Sequence, residues 1–326
     1  MNRALQTIPI RSHAVFWHAM WLQFNYIKAF DTSRKILYYI TCREQVYNKG
    51  LRAYSLLGLR HRKEVFMKTV QAIPRVERAE MKSAFRKAVI EVAMMTEKKG
   101  SEAYKKAFHK AMIKAYRVVF GSKSHKYFKT GNSKLDKNCY IWDIAEGITC
   151  KGLCSGCYAV KASRQYPQTA PYRLMNTILS VMAIYSPIYR AKMLADIERQ
   201  VKKARKQRLA LRLHSAGDMF CYNYWLLCNE MAEIVSRYGI KAYTYTKFQQ
   251  YQSNEYINVV ESIIIIDGKA YINYGNKEYM QALENDLKAH GMAYFKCSYG
   301  SKDNKDKCMK TCFACLHYKH VLFDQH

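Results

Sequence analysis

Residues 139–159, "CYIWDIAEGITCKGLCSGCYA", decide how the chain is read. "CYIWDI" is an apolar run of strand length. A loop of Gly, Ser and three cysteines follows, and the chain then enters a helical pattern. Moving outward, a helical stretch runs from about 174 and restarts at Ser186-Pro187, a capping residue followed by a proline suited to a first helical turn. "LALRLHS" (209–215) is a second strand, "YNYWLLCNEMAEIVSRYG" (222–239) a helix, and "IKAYTYT" (240–246) a third strand. "VVESIIIID" and "AYINYG" read as further strands, "KEYMQALENDLKAHG" as a helix and "MAYFKCS" as another strand. Strands that alternate with helices and carry runs of Val and Ile imply a parallel sheet covered by helices. The fold class expected is α/β, an open parallel sheet or a partial (βα) barrel. Chemistry in such folds gathers in the loops after the C-terminal ends of the strands.

Upstream the character changes. Residues 1–130 read as a basic helical region. In "SEAYKKAFHKAMIKAYRVVF" (101–120), Tyr104, Phe108, Ala111, Met112, Ala115 and Val119 share one face, and Lys105, Lys106, Lys110, Lys114 and Arg117 the other. Ser101 suits the N-cap. "GSKSHKYFKTGNSKLDKN" (121–138) reads as a linker. Three regions follow: 1–130, an α/β domain at 131–296, and a C-terminal cysteine group at 297–326.

The chain has 326 residues, 49% of them apolar and 13% aromatic, enough to bury a sizeable core. Its 54 Lys and Arg against 25 Asp and Glu leave a net charge of +29. Such an excess calls for an anionic partner, nucleic acid first, with an anionic membrane surface or simple solubility as the alternatives. No apolar run reaches the roughly 20 residues of a membrane span. "AVFWHAMWLQF" (14–24), interrupted by His18 and Gln23, makes a poor signal peptide. The expected location is cytoplasmic, with the 11 cysteines as thiols or metal ligands.

Cys150, Cys154 and Cys157 form C-x3-C-x2-C, a spacing that wraps three thiolates around one centre. Soft thiolates select zinc or iron–sulfur clusters. Three leave one corner of a [4Fe–4S] cube open, and four close the site. Cys297, Cys308, Cys312 and Cys315 (C-x10-C-x3-C-x2-C) supply four, suited to zinc or a second [4Fe–4S] cluster in a structural role. Cys139 precedes Cys150 by the same ten-residue interval, so the first group also has a closed reading. Against it, Cys139 starts the first strand and the loop follows its far end. Cys42, Cys221 and Cys228 lack ligand spacing and read as buried thiols.

The loop placed after a first strand resembles that of radical S-adenosylmethionine enzymes. More narrowly, "TCKGLCSGCYA", "RLHSAGD" and "YTYTK", in this order, are similar to the phage-associated gene product 88 family, over roughly residues 130–320. The resemblance implies that Cys150, Cys154 and Cys157 hold three irons of a [4Fe–4S] cluster while the fourth binds S-adenosylmethionine. It implies that Ala216, Gly217 and Asp218 stand where such enzymes carry a Gly-Gly-Glu-like turn against the cofactor's amino group, with Asp one methylene shorter than Glu. Tyr158, next to the loop, joins this cofactor-binding set. The residues by themselves read Asp218 equally well as a helix cap, and His214 as structural.

The function expected from the resemblance is reductive cleavage of S-adenosylmethionine, with a reductant protein as partner, to start radical chemistry on a nucleic-acid or nucleotide substrate. The alternative is a non-enzymatic nucleic-acid-binding protein of a phage or mobile element with structural metal sites. A zinc-stabilised scaffold is a third reading. Lys247, at the end of the third strand, is a candidate contact for an anionic substrate.

Overall fold

Cys139–Trp142, read above as the first strand, lies inside a five-stranded sheet in the computed structural model of the chain. The structure describes residues 75–324 apart from 98–101, 122–124, 133, 151–156, 167, 205–207, 298–307 and 311. Residues 1–74, most of the expected basic region, therefore lie outside it, as do Ser101, Cys42 and Cys154. The strands of the main sheet are β1 (Lys129–Thr130), β2 (Cys139–Trp142), β3 (Ala210–Leu213), β4 (Lys241–Thr246) and β5 (Ile257–Glu261), in spatial order 1-2-3-4-5. β2 to β5 are parallel, with Cys139 opposite Ala210 and Ala210 opposite Lys241. β1 joins antiparallel. The architecture is mixed α/β, and the sheet is mixed where a wholly parallel one was expected.

The reason lies in the segment expected to be a linker. Tyr127 and Phe128 are fully buried, and Gln200 accepts from the Tyr127 amide at 2.8 Å while donating to the Phe128 carbonyl at 3.0 Å. Those bonds satisfy the backbone on its way into β1, so the aromatic pair enters the core and brings an edge strand with it.

The described helices are α1 (Arg75–Met95), α2 (Glu102–Phe120), α3 (Tyr158–Gln165), α4 (Thr169–Tyr185), α5 (Pro187–Lys202), α6 (Tyr222–Ser236) and α7 (Lys277–Ala289). α4 is the hub: its residues from Ala170 to Ala183 are almost all buried, and α1, α2, α5 and α6 pack around it. A helix apolar on nearly every side must lie inside a bundle. α2 has the amphipathic pattern read from the sequence, with Tyr104, Ala111, Met112, Ala115 and Val119 buried and Lys105, Lys106, Lys110 and Arg117 exposed. Through α4 these two basic helices share the core of the unit formed by residues 72–326. No helix among the described residues is long and apolar enough to cross a membrane.

Sequential order with right-handed crossovers puts the connecting helices on one face of β2–β5. Trp142 is on that face and donates from Nε1 to the Tyr224 hydroxyl of α6 at 3.0 Å. Cys139, Ile141, Ala210, Tyr243 and Val260 form the other face, covered by Met309, Cys315 and Val321 from the C-terminal segment. "VVESIIIID" divides at Ser262: β5 ends at Glu261, and β6 (Ile263–Ile266) forms a separate hairpin with β7 (Lys269–Ile272). Asp267 and Gly268, both at positive φ (49° and 76°), make its two-residue turn. β8 (Tyr274–Gly275), β9 (Tyr294–Cys297) and β10 (His320–Asp324) make a third, parallel sheet, with β10 in the middle.

Candidate metal and cofactor site

The loops after β2, β3 and β4 meet at the C-terminal edge of the sheet. Asp143, the first residue after β2, accepts from the Ser215 hydroxyl at 2.6 Å and the Ala216 amide at 3.0 Å. The Ile144 amide donates back to the Ala216 carbonyl at 3.2 Å, extending the parallel ladder past the strands. From the helix side, Asn176 Nδ2 donates to the Asp143 carbonyl at 2.8 Å, and Thr177 Oγ1 accepts from the Ala145 amide at 3.0 Å. Arg173 completes the row with a 3.0 Å ion pair to buried Glu146, which also accepts from Ser163 of α3 at 2.5 Å. One polar stripe on otherwise apolar α4 thus fixes the segment that leads into the cysteine loop.

Both ends of that loop are anchored to the turn after β3. At its start, Thr149, next to Cys150, accepts through Oγ1 from the Asp218 amide at 3.3 Å. At its end, Tyr158, next to Cys157, donates its hydroxyl to the Ser215 carbonyl. Gly217 makes the close approach possible. Its φ is +84°, and a Cβ there would stand 2.5 Å from Ile144 Cγ1 and 2.8 Å from the Ile144 carbonyl oxygen. Only glycine fits that backbone and that space. The structure therefore brings Ala216, Gly217, Asp218 and Tyr158 together with the flanks of Cys150 and Cys157, and Cys154 lies between them outside the described residues.

Asp218 does not cap α6, whose N-cap is Cys221 without a side-chain bond. Its Oδ1 instead accepts from the Met219 amide and the Thr246 hydroxyl, each at 2.7 Å, and its Oδ2 from the Lys247 amide at 3.2 Å. It ties the β3 turn to the end of β4. Burial pushes its pKa up to about 6, against the three hydrogen bonds that favour the anion. His214 has a positive φ of 65° and is buried, with hydrogen bonds to Thr244 Oγ1 (3.0 Å) and the Tyr224 hydroxyl (2.7 Å). Burial, with Arg212 nearby, lowers its pKa to about 3, so it is a neutral structural residue.

The second cysteine group lies on the opposite, C-terminally covered face. Cys297 closes β9, Cys308 is bridged to Leu135, and Cys315 sits in a short 3₁₀ turn (Ala314–Leu316). The Cys315 thiol is hydrogen-bonded to the Cys308 sulfur, which, with burial, holds Cys315 well above the usual thiol range. The same bond, aided by Arg212, lowers Cys308 against the opposing effect of its burial. Cys139 packs in this cluster with Cys315, and burial raises its thiol to about 11. Its position at the start of β2 thus places it with the second group. Among the described residues no set of three or more His, Cys, Asp or Glu is arranged to hold a metal ion. Cys297 and Cys308 pack against the core cluster that holds Cys315, where the buried Nε of Arg212 and hydroxyl of Tyr243 lack hydrogen-bond partners, but the four described cysteines of the C-terminal motif are not gathered into one ligand set.

Asp143, Glu146, Arg173 and Arg212 were not singled out in the sequence. The one signal for Asp143 was its place directly after a strand. The others have partners too distant in the chain to form a motif. The gene product 88 family model matches residues 121–289, more than half of the chain. The match includes Cys150, Cys154 and Cys157 and stops before Cys297. No curated protein and no solved structure matches the chain. A match of this extent over the sheet and its cysteine loop places the chain in the gene product 88 family.

Proposed function

We propose that the protein is an iron–sulfur enzyme of radical S-adenosylmethionine type, acting on a nucleic-acid or nucleotide substrate. The observation that carries this reading is the double anchoring of the cysteine loop, through Thr149 and Tyr158, to the turn at 215–218. Cys150, Cys154 and Cys157 would hold a [4Fe–4S] cluster, and Ala216, Gly217, Asp218 and Tyr158 the amino-acid end of the cofactor. The reduced cluster, when bound, supplies the electron for cleavage of S-adenosylmethionine.

The chain's own residues position and desolvate. Asp143 and Asp218 are each 5% exposed, which keeps the strand ends dry. Asp218 Oδ2 has one amide donor at 3.2 Å and keeps acceptor capacity for an ammonium group. Sequential parallel strands with helices on one face are also the arrangement of a partial (βα) barrel.

Anaerobic purification with iron and sulfide counted, followed by assay of 5′-deoxyadenosine under strong reductant, tests the reading. Cys150→Ala, Cys154→Ala and Cys157→Ala should each abolish the product. Cys139→Ala, altered at the start of β2, should keep it. Stoichiometric zinc without iron would sink the proposal. The exposed lysine face of α2 favours a second reading, a nucleic-acid-binding protein without enzymatic activity whose cysteine groups are structural.

A further inference from the structure

Helix α3 starts at the end of the first cysteine loop, with Cys157 as its N-cap residue. Ala159 and Ser163, four residues apart, share its buried side, where Arg173 donates to the Ala159 carbonyl at 3.1 Å and Ser163 to Glu146 at 2.5 Å. That clamp fixes which residues look out: Tyr158, Lys161 and Arg164, with Tyr166 directly after the helix. Tyr158 is 56% exposed and Tyr166 49%, so both rings present area to solvent. The Tyr158 hydroxyl is tethered to the Ser215 carbonyl, which holds its ring as a fixed platform. Lys134, exposed on the loop between β1 and β2, carries its Nζ 5.4 Å from the centroid of that ring. The Lys134 backbone is itself held, its amide by Asn132 Oδ1 at 2.8 Å and its carbonyl by the Cys308 amide at 3.0 Å.

Several basic side chains elsewhere have acidic partners: Arg237 pairs with Glu233 at 2.7 Å, Lys288 with Glu284 at 2.8 Å and Lys319 with Glu261 at 2.9 Å. Lys134, Lys161 and Arg164 pair with no carboxylate among the described residues, so their charge is open to an external anion. Three uncompensated cations interleaved with two exposed rings match a polymer that alternates phosphates with flat bases. In a duplex the base faces are stacked and hidden, whereas in a single strand they are free to lie on tyrosine. We propose that the outer face of α3, with Lys134 beside it, binds single-stranded nucleic acid. Tyr158 and Tyr166 stack its bases, and Lys134, Lys161 and Arg164 hold its phosphates. A helix rise of about 1.5 Å per residue puts Lys161 about 6 Å along the axis from Cys157, so the strand is led to the cysteine loop. The inference names the substrate class of the proposed enzyme and rests on that reading. The lysine face of α2, by contrast, carries no exposed tyrosine.

The test uses the full chain, purified anaerobically, and the fluorescence anisotropy of labelled oligo(dT) and oligo(U) of about 15 nucleotides beside a duplex of equal length. Tyr166→Ala should weaken single-strand binding by about tenfold, the effect of one lost stacking contact, and leave duplex binding unchanged, while Tyr166→Phe keeps both. Lys161→Gln combined with Arg164→Gln should lower the slope of log affinity against log salt by about 1.4, roughly 0.7 for each phosphate released. These side chains are exposed, and circular dichroism checks that the variants fold. Unchanged single-strand affinity in Tyr166→Ala overturns the inference, as does an equal loss of duplex binding or an unchanged salt slope in the double variant. Iron and 5′-deoxyadenosine are measured on the same preparations. Strand binding that depends on Tyr166 in a chain without iron upholds the surface and sinks the enzyme reading. Cleavage of S-adenosylmethionine by a chain that binds neither strand overturns the inference and leaves that reading standing.

Discussion

Asp218 serves two purposes at the scale of one residue: it is buried, and it remains the acceptor for three donors. In the unfolded chain it titrates near the ordinary aspartate value, in the fold at about 6. Between those values the native state binds the extra proton. The contribution to stability is therefore full at low pH and lost as pH rises through about 6. A shift of this size corresponds to about 3 kcal/mol. In Asp218→Asn that component of the pH dependence should vanish, leaving a constant offset from the amide placed among donors. Urea midpoints of both proteins between pH 4 and 7.5 check it, and parallel curves would refute it. The sequence placed Asp218 beside the cysteine loop by analogy of motif. It could not reveal Thr246 and Lys247 as its partners, because they belong to the next strand. Arg212 was hidden for the same reason: a lone Arg in "LALRLHS" looks like a solvated position until the strands on either side bring tyrosines and cysteines to it.

Among the elements, α4 links packing to the site. Its apolar surface fills the centre of the helical layer, while Arg173, Asn176 and Thr177 reach the segment 143–146. Arg173→Leu would leave Glu146 buried without its cation, a change that costs about 3–5 kcal/mol. We expect a matching loss of stability, together with faster proteolysis in the cysteine loop than in the rest of the chain. Equal protection of the loop would show that α4 does not hold it. The helices and the strands β2 to β4 were legible because each has a clean period or an apolar run between turn signals. The division at Ser262 was not. In "VVESIIIID" the polar pair Glu261 and Ser262 is too short to read as a turn between two strands, and the chain changes sheet there because the Ser262 amide bonds to Thr246 while its carbonyl accepts from Asn273. Hydrophobicity records that a strand is buried and is silent about which sheet buries it.

For the molecule as a whole, charge is the property most directly legible in composition, and α2 shows how it is displayed. Lys105, Lys106, Lys110 and Arg117 are exposed along a helix whose other face is in the core. Replacing these four with Gln should weaken binding to a DNA duplex at low salt and reduce the slope of log affinity against log salt, by roughly 0.9 for each phosphate no longer neutralised. Absence of binding at low salt, or an unchanged slope, would assign the charge another purpose. Fold class was readable from alternation alone, whereas closure of the sheet by residues 308–323 was not, since that stretch is short, cysteine-rich and nearly without periodicity. Closure by late residues also sets an order of events during synthesis. Thr149, Ser215 and Gly217 have all been made before Cys308 exists, so the first cysteine loop can settle on its turn while Tyr243 and Val260 still face solvent. The second group arrives afterwards and seals that face, which makes the sheet's inner side the last part of the protein to leave water.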